Sequence, residues 1–324
     1  MNASLPTYII INPASRSGYG LTLWNRLSPY FRKAGISCTV LLSDASHSIS
    51  ALCRKVSSSG NEINLIILGG DGTLNEAVNG IVDFGKVNLG YIPIGSANDF
   101  GKAVGIADPR RAVRTMLKNK KPRMRDLGCV TAYAASDGSC GGSDPQTVCR
   151  NRYFNISCGI GFDADCCWLS DHTRIKKLLN RLHLGSLIYL VSAIRLIIAL
   201  HLVRHVVTID DSETALFGRS MFTVCMNTCY EGGGFAFCPD ADPTDGTLSV
   251  CNASGIGRLG FFRLFPMAYS GSHIGCRGIT SNTGRRITIS SEQPQHFHTD
   301  GEVPDEKVTR LEISILPQKV RWLL

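Results

Sequence analysis

The run 64–68, Asn-Leu-Ile-Ile-Leu, passes without a spacer into Gly69-Gly70-Asp71-Gly72-Thr73. A short apolar run of this kind predicts a buried strand. Glycines at its end let the backbone adopt positive φ and come close to a ligand. Thr73 and Glu76 have the Thr-x-x-Glu spacing of a capping box, which predicts a helix over 73–82 behind the loop. A helix start offers unpaired N–H groups and the positive end of the dipole, and both favour phosphate. The pattern is neither a Walker A loop nor G-x-G-x-x-G.

The same strand-to-helix grammar recurs through the first part of the chain. Segments 8–11, 38–42 and 89–92 predict strands, and 21–34 and 49–57 predict helices. Asp108 and Pro109 open a further helix with Ala112, Val113, Met116 and Leu117 on its apolar face. Behind 89–92 stands Pro93-Ile94-Gly95-Ser96-Ala97-Asn98-Asp99, where Ser96 and Asp99 again have capping-box spacing. Behind 8–11 stands Asn12-Pro13-Ala14-Ser15-Arg16-Ser17-Gly18. Alternating β and α with short links predicts a doubly wound α/β domain. Its strand ends aim at one crevice, and the three turns together point to a phosphate-bearing ligand.

The texture changes near Asp126. Segments 129–134, 153–158, 205–209, 220–227, 247–251, 286–290 and 308–315 predict strands, so a mostly β second domain is expected. A polar insert, 136–151, contains Cys140, Gly141, Gly142 and Cys149 and predicts a surface hairpin. The apolar stretch 184–203 is close to spanning length, but Arg195 and His201 interrupt it. The expectation is a buried or cleft-lining helix whose basic flanks (Arg174, Lys176, Lys177, Arg181, Arg204) also suit an interface.

Composition narrows the class. Of 324 residues, 44% are apolar and 19% charged, which excludes a disordered chain. Eight Lys and Arg lie in 110–125 without an acid, and they equal the whole net charge of +8. Such a stripe can meet anions or an anionic membrane surface, or be a solvated helix face. No aromatic residue interleaves it, which argues against nucleic acid. Thirteen Cys without framework spacing suggest a reduced, intracellular protein, and the start of the chain has no basic region of the signal-peptide type. Cys225, Cys229 and Cys238 lack a zinc-type pair.

Taken together, Asn-Pro-x-Ser, Gly-Gly-Asp-Gly-Thr, Pro-x-Gly-Ser-x-Asn-Asp, Gly159-Ile160-Gly161-Phe162-Asp163 and His298-Thr299-Asp300-Gly301-Glu302 resemble the diacylglycerol kinase catalytic family. That family includes the bacterial lipid kinases and the sphingosine and ceramide kinases. The resemblance spans nearly the whole chain. It implies an N-terminal α/β nucleotide-binding domain, similar to NAD kinase and phosphofructokinase, and a C-terminal β-sandwich domain. The expected boundaries are 1–127, with 317–324 packing back on it, and 128–316.

The resemblance also implies roles. ATP and Mg²⁺ are the expected cofactors. The ATP site is expected on Asn12, Ser15, Ser43, Gly69, Gly70, Asp71, Gly72, Thr73, Glu76, Gly95, Ser96, Asn98 and Asp99. Asp71 and Asp99 would reach Mg²⁺ directly or through water, although Asp71 is equally placed to cap its own turn. The proton-accepting function falls on Glu302 first, with Asp300 as its partner, while Asp-Gly is also a common hairpin turn. His298 lies beside the proposed base, where a substrate contact is one reading and a plain strand position the favoured one. The acidic turn 240–247 suits a hard cation. The resemblance implies a structural Mg²⁺ held by the Asp245 side chain and by backbone oxygens at Asp242 and Thr247; a turn without metal stays open.

The expected activity is transfer of the γ-phosphate of ATP to a membrane lipid, foremost diacylglycerol, giving phosphatidic acid. The expected setting is cytoplasmic and peripheral to an anionic membrane, with a homodimer left open. The alternatives are an NAD kinase, which shares Gly-Gly-Asp-Gly-Thr, and a non-catalytic nucleotide or lipid sensor.

Overall fold

The structure is a computed structural model that describes all residues except 120, 135–146, 173–184 and 212–217, and omits the side chains of 17, 171 and 185–191. Lys120, Cys140, Gly141, Gly142, Arg174, Lys176, Lys177 and Arg181 therefore lie outside the described residues. The chain divides into two compact units, Met1–Leu127 with Pro317–Leu324, and Gly128–Leu316.

The first unit is built on parallel strands β1 (Thr7–Ile11), β2 (Cys38–Leu42), β3 (Ile63–Gly69) and β4 (Val87–Pro93), in the order β2-β1-β3-β4. Every residue of β3 and β4 is buried, as a parallel strand covered on both faces requires. The helices are α1 (Ser15–Lys33), α2 (Ile49–Ser57), α3 (Asp71–Gly80), α4 (Asp99–Ala103) and α5 (Pro109–Lys118). Helix α1 packs on α5, and α2 packs on α3. Register is pinned by buried polar side chains. Asn64 Nδ2 donates to Thr7 Oγ1 at 3.1 Å, and Asn88 Nδ2 donates to Asn64 Oδ1 at 3.3 Å. A slip by one residue would break this ladder as well as expose the apolar face.

The closing segment joins the same sheet: Arg321 and Trp322 pair in parallel with Asn88 and Leu89. Trp322 is 1% exposed, and its ring centroid lies 4.6 Å from that of Phe100.

Helix starts differ from expectation in two places. Helix α3 begins at Asp71 with Gly70 as its N-cap and no side-chain cap bond, so Thr73 sits inside the first turn and forms no capping box. Helix α4 begins at Asp99, and its N-cap is Asn98 in the left-handed region at φ 54°, so Ser96 does not cap it either. Both starts are set by backbone geometry at the loop. Asp108 does cap α5, accepting from Arg111 N at 2.7 Å.

The second unit is mostly antiparallel, as a sandwich requires. Its strands are β5 (Arg123–Tyr133, whose first residues lie in the first unit), β6 (Thr147–Phe154), β7 (Ser157–Gly161), β8 (Val203–Ile209), β9 (Gly218–Met226), β10 (Leu248–Ser254), β11 (Ile279–Gly284), β12 (Arg286–Gln295), β13 (Phe297–Thr299) and β14 (Val308–Trp322). They run β11-β10-β9-β8-β12-β14, with β7 pairing β9 and β13, and β5 pairing β6. The helices are α6 (Phe162–His172), α7 (Gly185–Ile198) and α8 (Arg258–Ser270).

Two expectations are corrected here. The strand expected over 153–158 is two strands, interrupted at Asn155-Ile156. The helix expected over 184–203 ends at Ile198, because Val203 opens β8 and pairs with Ser220 of β9. Among the described residues no helix is long and apolar enough to cross a membrane.

Removing the Trp322 ring leaves a cavity against Phe100. Trp322→Ala should cost about 3–5 kcal/mol, read as a lowered urea midpoint. A loss below about 1 kcal/mol would mean the closing segment contributes little to the first unit.

Candidate functional site

The turns behind β1, β3 and β4 meet at the carboxyl end of the sheet. Asn12 N donates to Leu68 O at 3.2 Å, and Ile94 N donates to Gly69 O at 2.9 Å. Asn12 Nδ2 donates to Thr73 Oγ1 at 3.3 Å. Ser15 N donates to Asn12 O, and Ser43 N to Ile11 O, so both hydroxyl-bearing residues stand on this rim. Glycine is required by space here. A Cβ on Gly95 would lie 2.8 Å from Gly70 Cα, and one on Gly69 would lie 2.4 Å from the Thr73 side chain. Two loops thus touch backbone to backbone beside the start of α3, whose first N–H groups have no intrahelical acceptor.

The donor set suits a nucleotide. The helix start serves phosphate oxygens. Asn98 Oδ1 is buried and accepts no hydrogen bond, so it suits a ligand that also carries N–H or O–H donors. Ser96 is exposed at the loop tip, and Glu76 is exposed on α3, away from the helix start.

The two acids of this rim are both engaged by protein donors. Asp71 Oδ2 accepts the N–H of Asp99 at 3.0 Å, and its Oδ1 accepts from Tyr91 Oη at 3.4 Å. Asp71 therefore caps α4. Asp99 is buried and pairs with Lys102 Nζ at 3.0 Å. These bonds fix where the two carboxylates stand on the rim.

In the second unit, the turn after β13 is held from several sides. The Asp300 carboxylate accepts three backbone N–H groups, from Asn155 at 2.9 Å, Ile156 at 2.7 Å and Ser157 at 3.1 Å. Asp300 itself is left-handed at φ 53°. This clamp is what separates β6 from β7. Thr299 and Glu302 exchange backbone hydrogen bonds at 3.0 Å, and Arg152 Nε donates to Thr299 Oγ1 at 2.6 Å. Glu302 is exposed. Of the expected pair, Asp300 holds the turn and Glu302 presents a carboxylate to solvent.

His298 is fully buried, not a plain strand position. Its Nε2 lies 3.1 Å from Asp163 Oδ2 and 3.2 Å from Glu231 Oε1. Burial pushes the imidazole pKa down, but the charges of Glu231 and Asp163 outweigh it and raise the value to about 9. On the other side of the ring, Gly301 N donates to Nδ1 at 3.2 Å. An imidazolium carries a proton on Nδ1 and cannot accept that bond, and a cation on Nε2 would likewise move the ring proton to Nδ1. Charge balance against the two acids thus competes with the seat of the Asp300-Gly301-Glu302 turn. Among the described residues, Asp163, Glu231 and His298 are the group whose ligand atoms converge, within 4.8 Å of one another. The Gly301 bond links this group to the turn as a hydrogen-bond relay when Nδ1 is unprotonated, and the same three ligand atoms would seat a cation once that bond is given up.

Glu231 has no counterpart in the sequence expectations. Gly232, Gly233 and Gly234, all at positive φ, fold the chain back so that Glu231 and Phe235 pair. An acid followed by three glycines was the available signal. In the acidic turn, Asp242 Oδ1 accepts from Thr244 N and Oγ1, and Asp245 Oδ1 accepts from Thr247 N and Oγ1 at 2.8 and 2.9 Å. The oxygen donors suit a hard cation, yet the turn already closes through its own hydrogen bonds.

Comparison with known proteins agrees with this picture. Residues 6–130 match the diacylglycerol kinase catalytic domain, and residues 160–324 match the YegS C-terminal NAD kinase beta sandwich-like domain. The chain is 26% identical to the candidate lipid kinase YtlR of Bacillus subtilis, over 97% of this chain and 98% of that protein. It is 26% identical to the diacylglycerol kinase of Bacillus subtilis, over 91% of this chain and 88% of the relative. Its fold matches the crystal structure of a candidate diacylglycerol kinase from Bacillus anthracis with a TM-score of 0.74 at 19% identity, covering 100% of this chain and 96% of the other.

The relay predicts a pH dependence. The folded pKa of His298, about 9, exceeds the ordinary 6.5. Stability from its carboxylate pairing is therefore complete below the unfolded value and is lost as pH rises through about 9. Glu231→Gln removes the larger of the two favourable charges and should move that loss to lower pH, read from urea midpoints across the range. An unshifted profile would mean that Glu231 does not set the proton on His298.

Proposed function

The chain belongs to the family that joins a diacylglycerol kinase catalytic domain to a YegS C-terminal NAD kinase beta sandwich-like domain, and from that premise we propose an ATP-dependent lipid kinase. It transfers the γ-phosphate to a hydroxyl of a membrane lipid, diacylglycerol first, giving phosphatidic acid. The observation that carries the reading is the backbone contact of Gly70 with Gly95 beside the start of α3. That geometry accommodates phosphate oxygens and leaves no room for a side chain at Gly95. The description of the Bacillus subtilis relative as a diacylglycerol kinase supports the choice of acceptor.

Phosphoryl transfer asks mainly for positioning and charge neutralisation. N–H groups at 70–73 hold phosphate oxygens, and Asn98 Oδ1 takes a donor of the nucleotide. Glu302 takes the proton of the attacking hydroxyl, and Asp300 keeps the turn that carries it rigid. Mg²⁺, when bound, neutralises phosphate charge; no step of this reading runs through Asp71 or Asp99.

Radiolabelled ATP offered with a total lipid extract should give a labelled phospholipid, identified by chromatography. Label transferred to NAD but to no lipid would replace this reading with an NAD kinase. ATP binding without turnover would replace it with a sensor. Two variants separate chemistry from architecture. Glu302→Gln should lower kcat by about a hundredfold or more with the melting temperature unchanged. Asp300→Asn should in addition lose about 2–4 kcal/mol of stability, because an amide cannot accept all three N–H groups as a carboxylate does. Near-normal turnover in both would remove the turn from the mechanism.

A further inference from the structure

Outside the 110–125 stripe the charges balance in sum but not locally. From 246 to 291 there is no Asp or Glu, while Arg258, Arg263, Arg277, Arg285 and Arg286 all fall within those residues. Helix α8 lies in this acid-free stretch and is apolar on two sides. Its inner face, with Phe261 and Ala268 buried, packs in the core of the second unit. Its outer face carries Leu259 at 88% exposure, Phe262 at 53% and Tyr269 at 61%.

At about 100° per residue, positions 259, 262, 266 and 269 form one narrow stripe, and Arg258 and Arg263 fall on its two borders. Helix α7 packs against α8 and repeats the arrangement: Ile194 and Ile198, one turn apart, are 41% and 67% exposed, and Arg195 beside them is exposed. Arg263 also lines, with Arg277, a recess of about 560 Å³ at the start of α8.

A helix apolar all round is ordinarily buried all round. Here the outer stripe faces solvent, and the stretch of sequence that supplies its cationic border contains no acid. We propose that the outer face of α8, continued by Ile194 and Ile198 of α7, docks on a bilayer surface that contains anionic phospholipid. Leu259 and Phe262 enter the headgroup boundary, and Arg258, Arg263 and Arg277 pair with lipid phosphates. Charge complementarity selects this occupant, because apolar side chains bordered by arginine and free of acids are the composition of interfacial helices. The inference rests on the lipid-kinase reading for its purpose, since such an acceptor resides in a membrane.

The test is co-sedimentation of the full chain, without ATP, with vesicles of phosphatidylcholine alone or mixed with phosphatidylglycerol. Binding should require phosphatidylglycerol and weaken with added salt. Leu259→Ser with Phe262→Ser, and separately Arg258→Glu with Arg263→Glu, should each lower binding at least about tenfold. Unchanged melting temperatures would tie that loss to the surface. Wild-type binding in both double variants overturns the proposal. So does loss of binding only in Lys118→Glu with Lys121→Glu, which would place the contact on the 110–125 stripe. A dimer that the α8 variants dissociate without altering vesicle binding also overturns it, as a face between copies. Turnover on a water-dispersed short-chain diacylglycerol reports the kinase reading separately. Vesicle binding sensitive to the α8 variants, with no lipid phosphorylated, would leave the surface standing and remove the kinase.

Discussion

Carboxylates that accept backbone N–H groups from distant segments hold both units in register. Asp300 takes three such groups from 155–157, Asp71 takes that of Asp99, Asp126 takes that of Gln318, and Asp210 takes those of Arg285 and Arg286. Asp126 and Asp300 are buried, where a charged acceptor is costly unless its oxygens are satisfied, so their bonds fix the position of both segments. The consequences are local and specific. Asp71 supplies the cap that the α4 sequence lacks, and Asp300 ends β6 and begins β7. Asp71 of the expected ATP site and Asp300 of the expected catalytic pair are in this way also what fixes the loops around them.

This explains which parts of the site were legible. The glycines of the 69–73 and 93–99 turns could be read in advance, because a buried strand that ends in glycine has few other uses. Helix starts were misread. Thr73-x-x-Glu76 has the spacing of a capping box, but spacing does not reveal that Gly70 already stands in extended conformation before the first turn. Ser96 failed for the same reason, since Asn98 takes up the left-handed conformation that starts α4. Caps supplied from another loop, as Asp71 supplies one to α4, leave no local signal at all.

Most strand positions of the second unit were legible because alternation and β-branched residues mark them without reference to partners, but β11, β13 and the start of β6, which falls in the polar insert, were not expected. Other differences follow from tertiary contacts. The break at Asn155-Ile156 comes from a carboxylate 145 residues away in the case of Asn155. The exposed outer face of α8 was equally hidden, since Leu259 and Phe262 count as apolar helix residues in sequence whether they meet a core or solvent. Arg16 stands in the turn behind β1. Its φ of 49° is left-handed, a conformation that glycine would adopt without a Cβ penalty.

Gly159-Ile160-Gly161-Phe162-Asp163 and His298-Thr299-Asp300-Gly301-Glu302 stand far apart in sequence, yet they form one site. His298 pairs with Gly159 across β13 and β7. A Cβ on Gly159 would lie 2.1 Å from Asp163 Oδ2 and 2.6 Å from His298 Nε2, so the first glycine of the motif makes the space in which the carboxylate reaches the ring. Gly161, at φ 101° with Met221 O only 2.6 Å from where its Cβ would be, lets the chain turn from β7 into α6 and delivers Asp163 to that space. The ring then passes the contact on through Nδ1 to Gly301, the middle of the turn that carries Glu302. Each glycine is a geometric condition on a charge two to four residues away. The acids at 163 and 231 and the imidazole at 298 are therefore one charge-paired group, and the Gly301 N–H ties it to the turn that carries Glu302.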